Sequence, residues 1–170
     1  MKAADITSLA DTYMDAVYGF CLHLTGNTYE AEELCQNTFL KALERASHID
    51  ENNNPRAYLF AISVSLHKSH KRKLARRFAI APQSALDETL ASSERIDEAA
   101  EKKELHAKVR SEIAKLEEKL RVPIILYYLY DLGISEISAI VKCPEGTVKS
   151  RLHAARSILK NNLEVHVSEI

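Results

Sequence analysis

The segment CPEGTVKSRLHAARSILK, residues 143–160, carries Val148, Leu152, Ala155 and Leu159 at steps of four, three and four residues, one apolar stripe of helical period. Thr147, Lys149, Ser150, Arg151, His153, Arg156 and Lys160 make up the rest of its surface. Just upstream, ISEISAIV at 134–141 forms a short amphipathic helix with Ile134, Ile137, Ile140 and Val141 facing inward, and Lys142-Cys143 make the turn. A short helix, a tight turn and a longer amphipathic helix is the helix-turn-helix pattern.

An ordinary helical hairpin with a wet outer face has the same periodicity, but three details set this one apart. Pro144 fixes φ for a helical first turn, Gly146 lets that turn approach another backbone, and hydroxyls and cations cluster just inside the helix start. A recognition helix presents this end to base edges and phosphates. The candidate duplex contacts are Glu145, Thr147, Lys149, Ser150, Arg151, His153 and Arg156, because Arg and Lys bond guanine edges while Ser and Thr suit phosphate oxygens.

Moving outward, the 170 residues suffice for one ordinary domain or two small ones, and 46% hydrophobic with 28% charged residues is enough to build a core. Four glycines, four prolines and abundant Ala, Leu, Glu and Lys point to an all-α fold. The net charge of −1 excludes a uniformly basic coat but hides segregation. HKSHKRKLARR at 67–77 holds six Lys or Arg and no acid, and residues 87–104 hold seven acids against three bases. Cys21, Cys35 and Cys143 form no C-x-x-C pair, which fits a reducing compartment. The longest apolar run, VPIILYYLY at 122–130, is too short to span a membrane, so a soluble cytoplasmic protein is expected.

A first helix is expected over 5–25, with Ile6, Leu9, Tyr13, Val17 and Phe20 on one side and Gly26-Asn27 ending it. Asn27 then starts a second helix, with Glu30 at capping-box spacing. That helix buries Ala31, Leu34, Cys35, Thr38, Phe39, Ala42, Leu43 and Ala46 and leaves Glu32, Glu33, Gln36 and Asn37 outside as a candidate protein-docking face. After a polar loop, Asn54-Pro55 begin a third helix that runs into the basic block. There Lys71 and Arg72 lie downstream of Tyr58 and Phe60, and aromatics beside a cationic track suit unstacked bases. From about Ala75 the periodicity dissolves into a linker, and a helix resumes over 96–116. Pro123 is expected to open the next helix, which carries Ile124, Ile125, Tyr128 and Leu129 and is stopped by Gly133.

His67 and His70 share an i, i+3 spacing, but no third ligand accompanies them and lysines surround them, so no metal is expected. No G-x-S-x-G or Gly-rich phosphate loop is present, so neither catalysis nor a cofactor is expected.

Three segments, AEELCQNTFLKAL (31–43), NPRAYLFAISVSLHKSHKRK (54–73) and GTVKSRLHAARSILK (146–160), resemble in order and separation the characteristic segments of extracytoplasmic-function sigma factors of the sigma-seventy family. The resemblance implies two helical domains, residues 1–75 and 94–170, joined by a linker at 76–93. The first would dock on the β′ clamp helices of core RNA polymerase through Glu32, Glu33, Gln36 and Asn37. It would also bind and melt the minus-ten element of promoter DNA through Asn52, Asn53, Asn54, Tyr58, Ser65, Ser69, Lys71 and Arg72. The second would bind the β flap and the minus-thirty-five duplex, and an anti-sigma factor would be a further partner; no small-molecule substrate and no membrane insertion are implied. The family usually has Trp, Asn and Asp where this chain has Tyr58, Ser65 and Ser69. A stand-alone regulator of LuxR type, sharing only the last segment, and a helical adaptor are the alternatives.

Overall fold

The computed structural model describes residues 3–45, 54–80 and 100–167. Asn52, Asn53, Ala46 and most of the expected linker lie outside these residues, as does the side chain of Ile6. Every element among the described residues is a helix. The chain divides into two compact units, Met1–Ala91 and Ser92–Ile170.

The first unit holds α1 (Ala3–Thr25), α2 (Thr28–Glu44) and α3 (Pro55–Ile80). Gly26 takes a left-handed φ of 69° after α1, and Asn27 caps α2, its Oδ1 accepting from the Glu30 N–H at 3.0 Å. Asn54 caps α3 in the same way, accepting from the Ala57 N–H at 3.2 Å. The three helices bury Val17, Phe20 and Leu24 of α1, Ala31, Leu34, Phe39 and Ala42 of α2, and Leu59, Phe60, Ile62 and Val64 of α3. Phe20 and Phe60 meet at a 4.6 Å centroid separation, at the close end of the range that favours aromatic pairs.

A polar strip crosses this core. Thr38 Oγ1 donates to the Leu34 carbonyl (2.8 Å), Ser63 Oγ lies 3.1 Å from Thr38 Oγ1, and Cys21 Sγ lies 3.8 Å from Ser63 Oγ. Both hydroxyls find partners inside their own helices, so burial leaves neither unsatisfied. The Cys21 thiol is pushed up from its ordinary pKa by its interaction with Cys35 and by burial, which keeps it protonated and inert.

Leu43 and the end of α3 depart from the expected pattern. Leu43 is 44% exposed, because 3.6-residue periodicity carries it around α2 onto the side of Gln36. The helix of the basic block continues to Ile80, five residues past Ala75. Arg76 and Arg77 are good helix formers, and Arg77 in the last turn faces the negative end of the helix dipole. His67 is buried and His70 exposed, so the pair diverges.

The second unit holds α4 (Ala100–Lys115), α5 (Glu118–Tyr128), α6 (Ile134–Val141) and α7 (Glu145–Val167). Val122, Ile124, Ile125 and Leu126 of α5, Ile137, Ile140 and Val141 of α6, and Val148, Leu152 and Ala155 of α7 form its core. Glu112 of α4 is only 4% exposed yet satisfied: its carboxylate accepts from Lys115 Nζ at 2.6 Å and from Asn162 Nδ2 at 2.8 Å, tying α4 to α7.

Pro123 lies inside α5 rather than opening it. The helix starts earlier because the Glu117 carbonyl accepts from the N–H groups of Leu120 and Arg121, both at 2.8 Å. Arg121 Nη1 in turn donates to the Ala114 carbonyl at 3.2 Å, closing the corner after α4. Likewise α5 ends at Tyr128, short of Gly133, which instead precedes α6 with its N–H donating to Glu136 Oε2 at 2.9 Å.

Lys142 ends α6 in the left-handed region, at φ 56° and ψ 52°. Ser138 locks the turn that follows, its Oγ donating to the Cys143 carbonyl at 2.6 Å. A non-glycine residue in this conformation costs on the order of 1 kcal/mol. Lys142→Gly is therefore expected to raise folding stability by about 1 kcal/mol in denaturant titration, and an unchanged or lower midpoint contradicts the assignment of strain.

Candidate nucleic-acid interface

Once α2 has buried one stripe, the opposite ridge is set. Tyr29, Glu33, Gln36, Leu40 and Leu43 follow one another at steps of four, three, four and three residues, with Glu32 and Asn37 alongside. The expected docking residues Glu32, Glu33, Gln36 and Asn37 are all exposed on this side. Tyr29 at 74%, Leu40 at 58% and Leu43 at 44% exposure join them, and the sequence pattern did not single them out as surface. Alternating three- and four-residue steps of apolar and polar residues suit packing along another helix. At the end of the ridge Lys41 Nζ bonds Glu44 at 2.6 Å and holds that carboxyl below its ordinary pKa.

On α3 the structure brings together residues spread over 19 positions of sequence. Tyr58, Ser65, Ser69, Arg72 and Arg76 recur at steps of seven, four, three and four, a single ridge in which only Tyr58 is part-buried. Lys71 is exposed but lies roughly a third of a turn away, so it flanks this ridge rather than belonging to it. Arg72 Nε donates to the Lys68 carbonyl at 3.3 Å, which orients its guanidinium along the helix. Asn54, at the foot of α3, uses its amide oxygen as a cap.

A groove of about 350 Å³ runs between α2 and α3, with Glu33, Asn37 and Leu40 on one wall and Leu66, Ser69, His70 and Lys73 on the other. The acidic ridge of α2 and the cationic helix of α3 thus share a border. Among the described residues no three His, Cys, Asp or Glu side chains come together as metal ligands.

The expected contacts of α7 separate into two flanks. Lys149, His153, Arg156 and Lys160 follow at steps of four, three and four along one exposed side. Thr147 and Arg151 are half-buried on the other, Arg151 lying about 200° of helical rotation from Lys149. Arg151 Nη1 donates to Cys143 Sγ at 3.7 Å, so its stem lies along the α6–α7 turn. Ser150 sits at the outermost position, its hydroxyl donating to the Gly146 carbonyl at 2.9 Å, and Glu145 is exposed at the start of the helix. The Pro144 carbonyl accepts from Thr147 and Val148, so Pro144 occupies the cap position just before the helix.

Two family models match the chain: Sigma-70 region 2 over residues 9–78, and Sigma-70, region 4 over residues 106–159. The chain belongs to the extracytoplasmic-function branch of the sigma-70 family. It is 30% identical over 162 residues to ECF RNA polymerase sigma factor SigW of Bacillus subtilis, covering 91% of this chain and 87% of that one. It is 33% identical over 165 residues to ECF RNA polymerase sigma factor EcfG of Rhodopseudomonas palustris, covering 95% and 88%. The sigma factor RpoE of Bartonella quintana, solved in complex with the anti-sigma factor NepR, has the same fold, with a TM-score of 0.82 at 24% identity over 95% of this chain and 98% of that one.

The first unit is therefore sigma-70 region 2 and the second region 4, and the protein is an alternative sigma factor rather than a stand-alone LuxR-type regulator. Region 2 contains the α2 and α3 ridges, and region 4 contains the helix-turn-helix.

Gly146 in this sigma-70 region 4 meets open space: a Cβ built there finds nothing within 4 Å. Its small size answers no packing need within the chain, and a helical Gly costs roughly 0.5–1 kcal/mol relative to Ala. Gly146→Ala should gain about that much stability by thermal melting while weakening promoter binding by about 1–3 kcal/mol, the size of a lost base contact. Gain in stability with undiminished binding removes Gly146 from the interface.

Proposed function

We propose that this sigma factor docks on core RNA polymerase and grips a promoter at two separate elements. Glu32, Glu33, Gln36 and Asn37 form the polar part of the surface for the β′ clamp helices, and Tyr29, Leu40 and Leu43 supply its apolar anchors. Exposed apolar side chains between acids contribute affinity by burial, while the acids steer a basic partner.

The α3 ridge holds the displaced minus-ten strand. Arg72 and Lys71 meet phosphates, Tyr58 offers a ring face to a base, and Ser65 and Ser69 bond base edges. Asn52, Asn53 and Asn54 offer amides to the edges of an extruded base, whose unstacking costs a few kcal/mol and must be offset by such contacts. The duplex at minus-thirty-five takes the first turns of α7, with Glu145, Thr147, Lys149, Ser150 and Arg151 near base edges and His153 and Arg156 toward the backbone. The second unit also meets the β flap, and an anti-sigma factor binds and restrains the protein; RpoE, which shares its fold, is solved in complex with the anti-sigma factor NepR. The protein works in the cytoplasm, performs no catalysis of its own, and needs no cofactor.

The observation that carries this is the separation of surfaces: acids and exposed apolar residues on α2, cations and hydroxyls on α3, and cations again on α7. Neither a free-standing repressor nor an adaptor needs all three.

Run-off transcription with core polymerase tests it. Wild-type protein is expected to direct initiation from discrete promoters. Replacing Glu33, Gln36 and Leu40 together with Ala is expected to lower core affinity by at least tenfold while leaving the melting transition within about 1 kcal/mol, since these are surface positions. Promoter-specific binding without core, and no initiation with it, overturns the proposal.

A further inference from the structure

Arg156 sits eleven residues after the start of α7, about 16 Å along its axis, whereas the major groove is about 12 Å wide. When the first turns of α7 lie among the bases, Arg156 has already reached the backbone that borders the groove. Its guanidinium carbon lies 5.9 Å from the Tyr127 ring centroid and 5.8 Å from that of Tyr128. The two rings stand edge to face, 5.0 Å apart at 75°, at the end of α5. Tyr128 is 54% exposed and Arg156 is itself exposed, so the cation is held at the surface.

An arginine at such a position has many rotamers, and fixing it on a phosphate costs side-chain entropy. Two ring faces at this distance narrow the choice beforehand, each within the range over which a cation is attracted to an aromatic face. The guanidinium fork retains its N–H groups, because ring faces occupy the π surface and not the donors.

We propose that Tyr127 and Tyr128 are positioning residues, which pre-order Arg156 for a phosphate beside the minus-thirty-five groove. This rests on α7 being the duplex-binding helix. Recognition thereby draws on α5, an element outside the helix-turn-helix, and His153 and Lys160 continue the same flank along the backbone.

The test uses holoenzyme reconstituted from full-length protein and core polymerase, on promoter fragments selected with the wild-type holoenzyme. Arg156→Ala should lower the log-log salt slope of binding by about 0.9, the loss of one phosphate contact. Y127L/Y128L should weaken binding about two- to fivefold, whereas Y127F/Y128F, which keeps both rings, should bind as the wild type does. In the Arg156→Ala background the leucine pair should cost nothing further.

Equal losses in both backgrounds, an unchanged slope for Arg156→Ala, or equal losses for Phe and Leu each overturn the proposal. Should the leucine pair lower the melting midpoint, Tyr128→Leu alone, at a half-exposed site, is read by the same cycle. If wild-type holoenzyme initiates specifically and these variants behave like it, only this inference fails. If wild-type protein gives no specific initiation, the sigma-factor proposal itself fails.

Discussion

A helix in a cluster of three or four can bury one stripe and must leave the opposite ridge in water. That constraint governs both units of this chain. Ala31, Leu34, Thr38 and Ala42 turn inward, so Tyr29, Glu33, Gln36, Leu40 and Leu43 have to turn outward. Val148, Leu152 and Ala155 turn inward, so Lys149, His153, Arg156 and Lys160 fall on one open flank and Ser150 on the crest. The packing of small cores thereby aims the side chains that meet polymerase and promoter in the proposed function.

Charge is distributed to match. The near-zero net charge keeps the chain from coating nucleic acid indiscriminately, since non-specific affinity grows with the number of phosphates neutralised. Local cationic surfaces on α3 and α7 can still act where docking brings DNA to them, and the acids of α2 stand on a different ridge. In the proposed function many modest local contacts, held in register by a larger assembly, give specificity that neither unit needs to reach alone.

Features with local causes were legible in the residues. Asn27 and Asn54 announced their caps, Gly26 its turn, and the stripe of α7 its buried face. The turn at Lys142-Cys143 was legible as the break between two amphipathic stretches. Features with non-local causes were not. Leu43 belongs outside because the helical period turns it toward Gln36, away from the face that α1 and α3 cover, and an apolar residue at the margin of a stripe gives no sign of where the cover ends. The start of α5 is decided by the Glu117 carbonyl and the Arg121 corner, against the expectation from Pro123. The Glu112–Asn162 bond joins residues fifty positions apart, and Arg156 meets Tyr127 and Tyr128 only through the α5–α7 packing. Division of the α7 contacts into two flanks, by contrast, was implicit in the spacing of Lys149 and Arg151.

In the proposed function labour is divided, α3 handling separated strands and α7 handling duplex. Site-specific photo-crosslinking in the open promoter complex tests it most directly, with probes at Ser69 on α3 and His153 on α7. Ser69 is expected to label the non-template strand at the minus-ten element and His153 to label duplex at minus-thirty-five. Labelling of one common element by both probes, or of double-stranded DNA by Ser69 alone, contradicts it.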